Sequence, residues 1–172
     1  EVKSDSRGNI DINELKNKVN ENVAGIMLTI PNTLGIFDEN IIEVTELIHK
    51  FEGIVYMDGA NLNALLGIIK PSLLGVDIIH FNLHKTFSTP HGGGGPGGGP
   101  IGVKGDLVDY LPVPSITKKG EKYFLNYDIK NTIGKVKEFY GNVGVCIKTL
   151  AYFLEIGPEG LRSVADISVL KA

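Results

Sequence analysis

Three apolar stretches, each running directly into polar or glycine-rich sequence, constrain this chain more than any other feature. They are Ala24–Ile30 (AGIMLTI), Gly53–Met57 (GIVYM) and Val76–Leu83 (VDIIHFNL). Short continuous apolar runs bounded by turn residues are the pattern of strands buried on both faces. Between the first two the period changes. Ile41, Val44, Leu47, Ile48 and Phe51 recur at helical spacing, which predicts a helix from about Glu39 to Phe51 with Asp38 as its N-cap. Asp11 to Val19 reads as a helix leading into the first strand, and Gly67 and Pro71 limit any helix within Leu62–Ser72 to a short one. Alternating strand and helix implies an α/β fold, a mainly parallel sheet with flanking helices. Such sheets bind ligands beyond the carboxyl ends of their strands, and the chemistry is to be sought there.

Composition narrows the function classes. Of 172 residues, 42% are apolar and 22% charged, the balance of a folded chain rather than a disordered one. No run of about 18 apolar residues exists to span a membrane. A net charge of −3 without a Lys/Arg block leaves no electrostatic footprint for nucleic acid. Cys146 is the single cysteine, so an internal disulfide and a CxxC zinc pattern are both excluded, and a cytoplasmic chain is expected. The chain opens at Glu1 with no Met and stops inside a predicted helix, Pro158–Ala172, so it is expected to be part of something longer.

Further along lies His91–Pro100 (HGGGGPGGGP), followed by a short apolar return at Ile101–Val103. The glycine run fits neither GxxxxGK[ST] nor GxGxxG, and it reads either as a linker or as a mobile loop over a site. Tyr110–Asn131 is expected to be irregular, and helix resumes over Val143–Glu155, starting near Asn142.

The three strand ends read Pro31–Asn32–Thr33, Met57–Asp58–Gly59–Ala60–Asn61 and Asn82–Leu83–His84–Lys85–Thr86. In a parallel arrangement these tips share one edge, with neighbouring strands roughly 4.8 Å apart. Asp58 and Lys85 then face a common space. Residue types leave two readings open. Asp58 and Lys85 either form a salt bridge closing the sheet edge or serve as an acid and a partly desolvated amine nucleophile. His80, His84 and His91 lie close in sequence but lack the Cys, Asp or Glu spacing of a metal motif, so no metal site is expected. His49 is expected to be a solvated residue at a helix end.

Taken together, YMDGANLNA (Tyr56–Ala64), HFNLHKTF (His80–Phe87) and PHGGGGPGGGPIGV (Pro90–Val103) closely resemble the glycine dehydrogenase (decarboxylating) family, the P-protein of the glycine cleavage system. The stretch Ile133–Lys135 through Phe139–Val145 is similar to the separate subunit 2 of the two-subunit form. The resemblance covers nearly the whole chain. It implies a type I fold of pyridoxal-phosphate (PLP) enzymes, the aspartate aminotransferase-like large domain. Residues 1–172 would be the lysine-bearing half, positions 91–100 an active-site loop, and the small C-terminal domain would be absent.

The resemblance also implies roles. Lys85 would be the lysine that binds the cofactor aldehyde, and Asp58 would pair with the pyridinium nitrogen. Ala60 would pack under the ring, and His84 would help position lysine and cofactor. Asn32 and Thr33 would bond the phenolic oxygen or the substrate. The implied reaction decarboxylates glycine and passes the aminomethyl group to the lipoyl arm of the H-protein, with subunit 1 completing a heterotetramer. The alternatives are another type I PLP enzyme, such as an amino-acid decarboxylase or cysteine desulfurase, and a non-catalytic phosphate-binding or assembly module. Lacking the first half of the large domain and most of its phosphate-binding groups, the segment alone is expected to hold PLP weakly and to be inactive.

Overall fold

Residues 1–92, 97–138 and 141–172 are described in the computed structural model, and the chain divides into two units, Glu1–Gly102 with Gly141–Ala172, and Val103–Tyr140. In the first unit Asp11 caps helix Ile12–Lys18 (α1), its carboxylate accepting from the backbone N–H groups of Asn13 and Glu14. Strand Gly25–Thr29 (β1), helix Ile41–Lys50 (α2), strand Ile54–Gly59 (β2) and strand Ile78–Phe81 (β3) follow in the expected alternation. Ile101–Val103 (β4) completes a sheet of order β1-β2-β3-β4. β1, β2 and β3 are parallel, with Thr29 opposite Asp58 and Asp58 opposite His80. Leu28, Ile30, Val44, Ile48, Val55, Met57 and Ile79 bury the seam between the sheet and α2. Full burial of such side chains contributes about 1.5–3 kcal/mol each. β1 is an edge of this sheet, and Met27 on it is 71% exposed.

Asp38 does not cap α2. The cap is Asn40. The buried Asp38 carboxylate instead accepts from the N–H of Ile10 at 2.7 Å and of Asn40 at 2.8 Å, tying the N-terminal segment to the helix entry. His49 likewise departs from its expected solvated state. Its Nε2 lies 2.7 Å from Asp77 Oδ2, which also accepts from the N–H of Val55, so the end of α2 is pinned to the start of β3.

The third strand stops at Phe81, two residues short of its expected end, and Leu83–Thr86 turns into a one-turn helix (α3). The cause is a change in what is buried. Leu83 and Phe87, four residues apart, both enter a second apolar cluster with Val145, flanked by Phe81 and Phe153. The Asn82 carbonyl accepts from the N–H groups of Lys85 and Thr86 and closes the turn. Val143–Lys171 (α4) packs on this cluster, started by Asn142, whose side chain accepts from the N–H of Val145. Gly157, at φ 62°, breaks α4 before Pro158, so the two expected helices meet at that kink. Val143, Ile147, Leu150 and Leu154 form an exposed apolar stripe along the first half.

In the second unit the segment expected to be irregular contains a hairpin. Ser115–Lys119 (β5) pairs antiparallel with Lys122–Asn126 (β6), and pairing of Lys119 with Lys122 leaves a two-residue turn at Gly120–Glu121. Pro112 and Pro114 precede the first strand and do not interrupt the ladder. Ile116, Thr117, Tyr123 and Phe124 supply the β-branched and aromatic positions the ladder favours. Among the described residues no helix is long and apolar enough to cross a membrane.

Candidate functional site at the carboxyl ends of the parallel strands

Strand alternation puts Tyr56 and Asp58 on one face of β2, and the parallel register sets His80 of β3 opposite Asp58. The three side chains form one connected line. Tyr56 Oη lies 2.8 Å from His80 Nδ1, and His80 Nε2 lies 3.1 Å from Asp58 Oδ1. The backbone N–H of Ala60 donates to the same Oδ1 at 2.8 Å. Oδ1 thus receives one hydrogen bond, from Ala60, and a close ion-pair contact with the His80 ring. Oδ2 receives none among the described residues and is the open oxygen of a carboxylate 33% exposed at the strand tip. Burial, and behind it the charge of Asp58, pushes the Tyr56 phenol above its ordinary range.

Gly59 makes this approach possible. A Cβ there would lie 2.1 Å from the carbonyl oxygen of His80, far inside any tolerable contact. Asn61 then ties this tip to its neighbour. Its amide donates to the carbonyl of Pro31 at 2.8 Å, with the carbonyl of Asn32 at 3.4 Å. Ala60 sits between, half-buried.

Lys85 stands on α3, five residues after His80, rather than on an extended strand tip. It is exposed and has no ion-pair partner among the described residues. The Asp58–Lys85 salt bridge is therefore absent, and Asp58 is paired with His80 instead. His84 beside it meets His91 edge-on, ring centroids 4.2 Å apart. Burial first, and then the neighbouring His91 and Lys85, hold its pKa below the ordinary histidine range. His84 Nδ1 and Thr86 Oγ1 are buried with no hydrogen-bond partner among the described residues. Unpartnered buried polar atoms cost free energy in the folded state.

The described ends of the glycine run lie against this turn. Gly98 accepts from the N–H of Leu83 at 3.4 Å, and Pro100 accepts from that of Phe81 at 2.9 Å. A Cβ at Gly98 would stand 2.7 Å from Leu83 Cδ1. The expected mobile loop at 91–100 includes positions 93–96, which lie outside the described residues, as do Phe139 and Tyr140 of the later motif.

Asn32 and Thr33 stand at the end of β1 beside a groove of about 590 Å³ along its free edge, a groove lined by neither Asp58 nor Lys85. The Asn32 side chain is engaged within its own loop. Its oxygen accepts from the N–H groups of Leu34 and Ile36, and its amide donates to the carbonyl of Gly8. Thr33 is exposed. Sequence reasoning weighed His80 only as a metal ligand and gave no role to Tyr56, Gly59 or Asn61. The alternation that pairs Tyr56 with Asp58 was readable, whereas the register that brings in His80 was not.

The family model Aminotransferase class-V matches residues 1–94. Over its whole length the chain is 55% identical to a probable glycine dehydrogenase (decarboxylating) subunit 2 of Caldanaerobacter subterraneus, of which it covers 36%. It is also 55% identical to the protein of the same description in Pyrococcus furiosus, of which it covers 35%. The chain thus spans about a third of the length of these relatives. Among solved structures it resembles an apo cysteine desulfurase of Thermococcus onnurineus, with a TM-score of 0.63, 18% identity, and 93% of this chain and 39% of that one covered. A sphingosine-1-phosphate lyase of Burkholderia pseudomallei gives a TM-score of 0.61 at 17% identity, covering 96% of this chain and 37% of the other. At such identities these likenesses establish the fold alone.

Proposed function

The chain belongs to the aminotransferase class-V family, and on that premise we propose that it is the lysine-bearing segment of a PLP-dependent glycine decarboxylase, subunit 2 of a two-subunit glycine dehydrogenase. The observation that supports this reading is an open carboxylate oxygen on Asp58 at the end of β2, together with an amine on Lys85, unpaired among the described residues, on the turn that follows neighbouring β3. The donor set fits the cofactor. Asp58 Oδ2 is free to accept from a protonated ring nitrogen, Lys85 is free to take up an aldehyde, and the buried Nδ1 of His84 and Oγ1 of Thr86 lack partners among the described residues. Bound there, PLP would supply an electron sink for the electron pair left when glycine loses CO₂.

The protein's own residues do the rest. The Asp58 carboxylate, held on one oxygen by the Ala60 N–H and by the nearby His80 ring, presents the other as an acceptor and keeps positive charge on whatever it holds. Lys85, exposed on a short helix anchored by buried Leu83 and Thr86, can reach into the space beyond the strands and later carry a proton there. Ala60 contributes small size beside Asp58 where a longer side chain would compete for the same space. His84 would position the lysine and cofactor. Thr33 offers a free hydroxyl at the neighbouring tip, while Asn32 acts by shaping the loop that carries it. The substrate would be glycine, the acceptor the lipoyl arm of the H-protein, the partner subunit 1 in a heterotetramer, and the place the cytoplasm. The domain reading goes with this: residues 1–172 as the lysine-bearing part of the large domain, with 91–100 covering the site.

The test uses the full-length protein. Borohydride reduction of the PLP-loaded enzyme followed by peptide mapping should label Lys85, and a label on Lys70 or Lys104 sinks the assignment. Asp58→Asn should lower decarboxylation by orders of magnitude while some cofactor still binds. Near-normal turnover would reduce Asp58 to a structural partner.

A further inference from the structure

We infer that His80 is a positioning residue for Asp58: held by Tyr56 with its proton on Nε2, it occupies Oδ1 and leaves Oδ2 as the single acceptor offered to a ligand. The inference deepens the cofactor reading of Asp58 and rests on it. Its basis is the direction of the hydrogen bonds. The Asp58 carboxylate facing His80 Nε2 across 3.1 Å can only accept, which puts the proton of a neutral ring on Nε2 and leaves Nδ1 to accept from the Tyr56 hydroxyl at 2.8 Å. Nδ1 must then carry a lone pair, and the ring proton sits on Nε2, 3.1 Å from Asp58 Oδ1. The phenol is thus hydrogen-bonded to the imidazole, and the imidazole stands in ion-pair contact with the carboxylate.

The consequence for Asp58 is geometric. With the Ala60 N–H also on Oδ1, rotation about the last side-chain bond would break that hydrogen bond and the His80 ion-pair contact together. A carboxylate held by one donor alone can swing, and the oxygen facing a ligand is then no longer fixed. His80 is 23% exposed and Asp58 33%, so water reaches the pair but does not replace the ring. Tyr56 and His80 rings are tilted at 37° with centroids 5.8 Å apart, so the hydrogen bond and not stacking sets the ring position.

The experiment uses the full-length protein labelled with ¹⁵N histidine, first without cofactor. We expect His80 to show a protonated Nε2 and an unprotonated Nδ1, and Tyr56→Phe to abolish that single-tautomer signature. A protonated Nδ1 in the parent, or an unchanged signature in Tyr56→Phe, overturns the proposal. PLP is then added. Loss of one polar contact to a charged group predicts that His80→Leu weakens PLP binding about tenfold or more. His80→Gln places an amide donor near the lost Nε2 and should restore most of the affinity. The ¹⁵N shift of ring-labelled PLP should move toward the unprotonated form in His80→Leu and stay in place in His80→Gln. Equal affinities and ring shifts in the parent, the leucine and the glutamine variants overturn the proposal. A parent that shows the Nε2 tautomer but takes up no PLP overturns the cofactor reading instead and supports the positioning of Asp58.

Discussion

The tip of β2 and the turn after β3 lie at the same end of the parallel sheet, yet they treat their polar atoms in opposite ways. At the β2 tip the bonds are made. Asp58 Oδ1 accepts from Ala60 and sits against the His80 ring, the Asn61 amide holds the β1 tip, and Gly59 lets the His80 backbone come close. At the turn after β3 the bonds are deferred. His84 Nδ1 and Thr86 Oγ1 are buried without partners, and Lys85 has no counter-ion among the described residues. Satisfied networks rigidify, and unsatisfied buried atoms cost stability until something binds. The two regions thus differ in structure: the β2 tip holds its carboxylate in place, and the turn after β3 keeps two buried polar atoms unpartnered among the described residues.

The comparison breaks most readily at Gly59. In Gly59→Ala the added Cβ meets backbone, 2.1 Å from the His80 carbonyl oxygen, and no side-chain rotation can relieve it. The strands must separate, which costs about 3 kcal/mol or more and should misplace His80 relative to Asp58. Chemical denaturation of the full-length variant measures the loss, and a change below about 0.5 kcal/mol would mean the β2 tip is not rigid. Asn61→Ala is the milder blow to the same tip. It leaves the Pro31 carbonyl without its donor and should cost about 1–2 kcal/mol. An unaltered midpoint would show that the two tips do not depend on this tie.

The two regions also differ in how far the sequence revealed them. Asp58 was legible because a charge after an apolar run announces a strand end, and the three strand cores announced the parallel sheet, whereas Lys85, expected at such an end, stands beyond it on α3. The one-turn helix carrying Lys85 was not legible. It depends on Leu83 and Phe87 finding Val145 and Phe153, residues roughly sixty positions away, and no local periodicity encodes that contact. The same holds for His80, which looked like one of a run of histidines until register set it against Asp58. The hairpin at Ser115–Asn126 was missed for a local reason, since the nearby prolines outweighed the strand-favouring residues that follow them. Paired side chains such as His49 with Asp77 stayed hidden because their partners are separated by a whole strand.

Acidification should separate the two regions. Burial holds the His84 pKa below its unfolded value, so between the two values the unfolded chain binds more protons than the folded one. The stability that follows from this is fully present above the unfolded histidine pKa of about 6.5 and falls as pH drops through the folded value. His84→Gln should therefore lose stability less steeply than the parent from pH 7 downward. Denaturation midpoints of the two proteins at several pH values provide the measurement. Parallel curves would show that His84 does not resist protonation in the folded state.

The smallest expected effect is also the most direct test that the turn after β3 is built for an absent partner. Thr86 is 3% exposed, and its hydroxyl is buried without a hydrogen bond among the described residues. Thr86→Val replaces that hydroxyl by a methyl of nearly the same shape, removing a polar group that pays desolvation for nothing in return. The cofactor-free protein should then gain a few tenths to about 1 kcal/mol, against a small helix-propensity difference between two β-branched residues. The sign should reverse once a ligand that needs the hydroxyl is present. With PLP added, the parent should gain more stability than the valine variant, because only the parent forms the deferred bond. Thermal unfolding of both proteins with and without PLP gives four midpoints and one difference of differences. A valine variant less stable than the parent in the cofactor-free protein would mean that the hydroxyl is already satisfied, and the distinction between the two regions would fail at this residue.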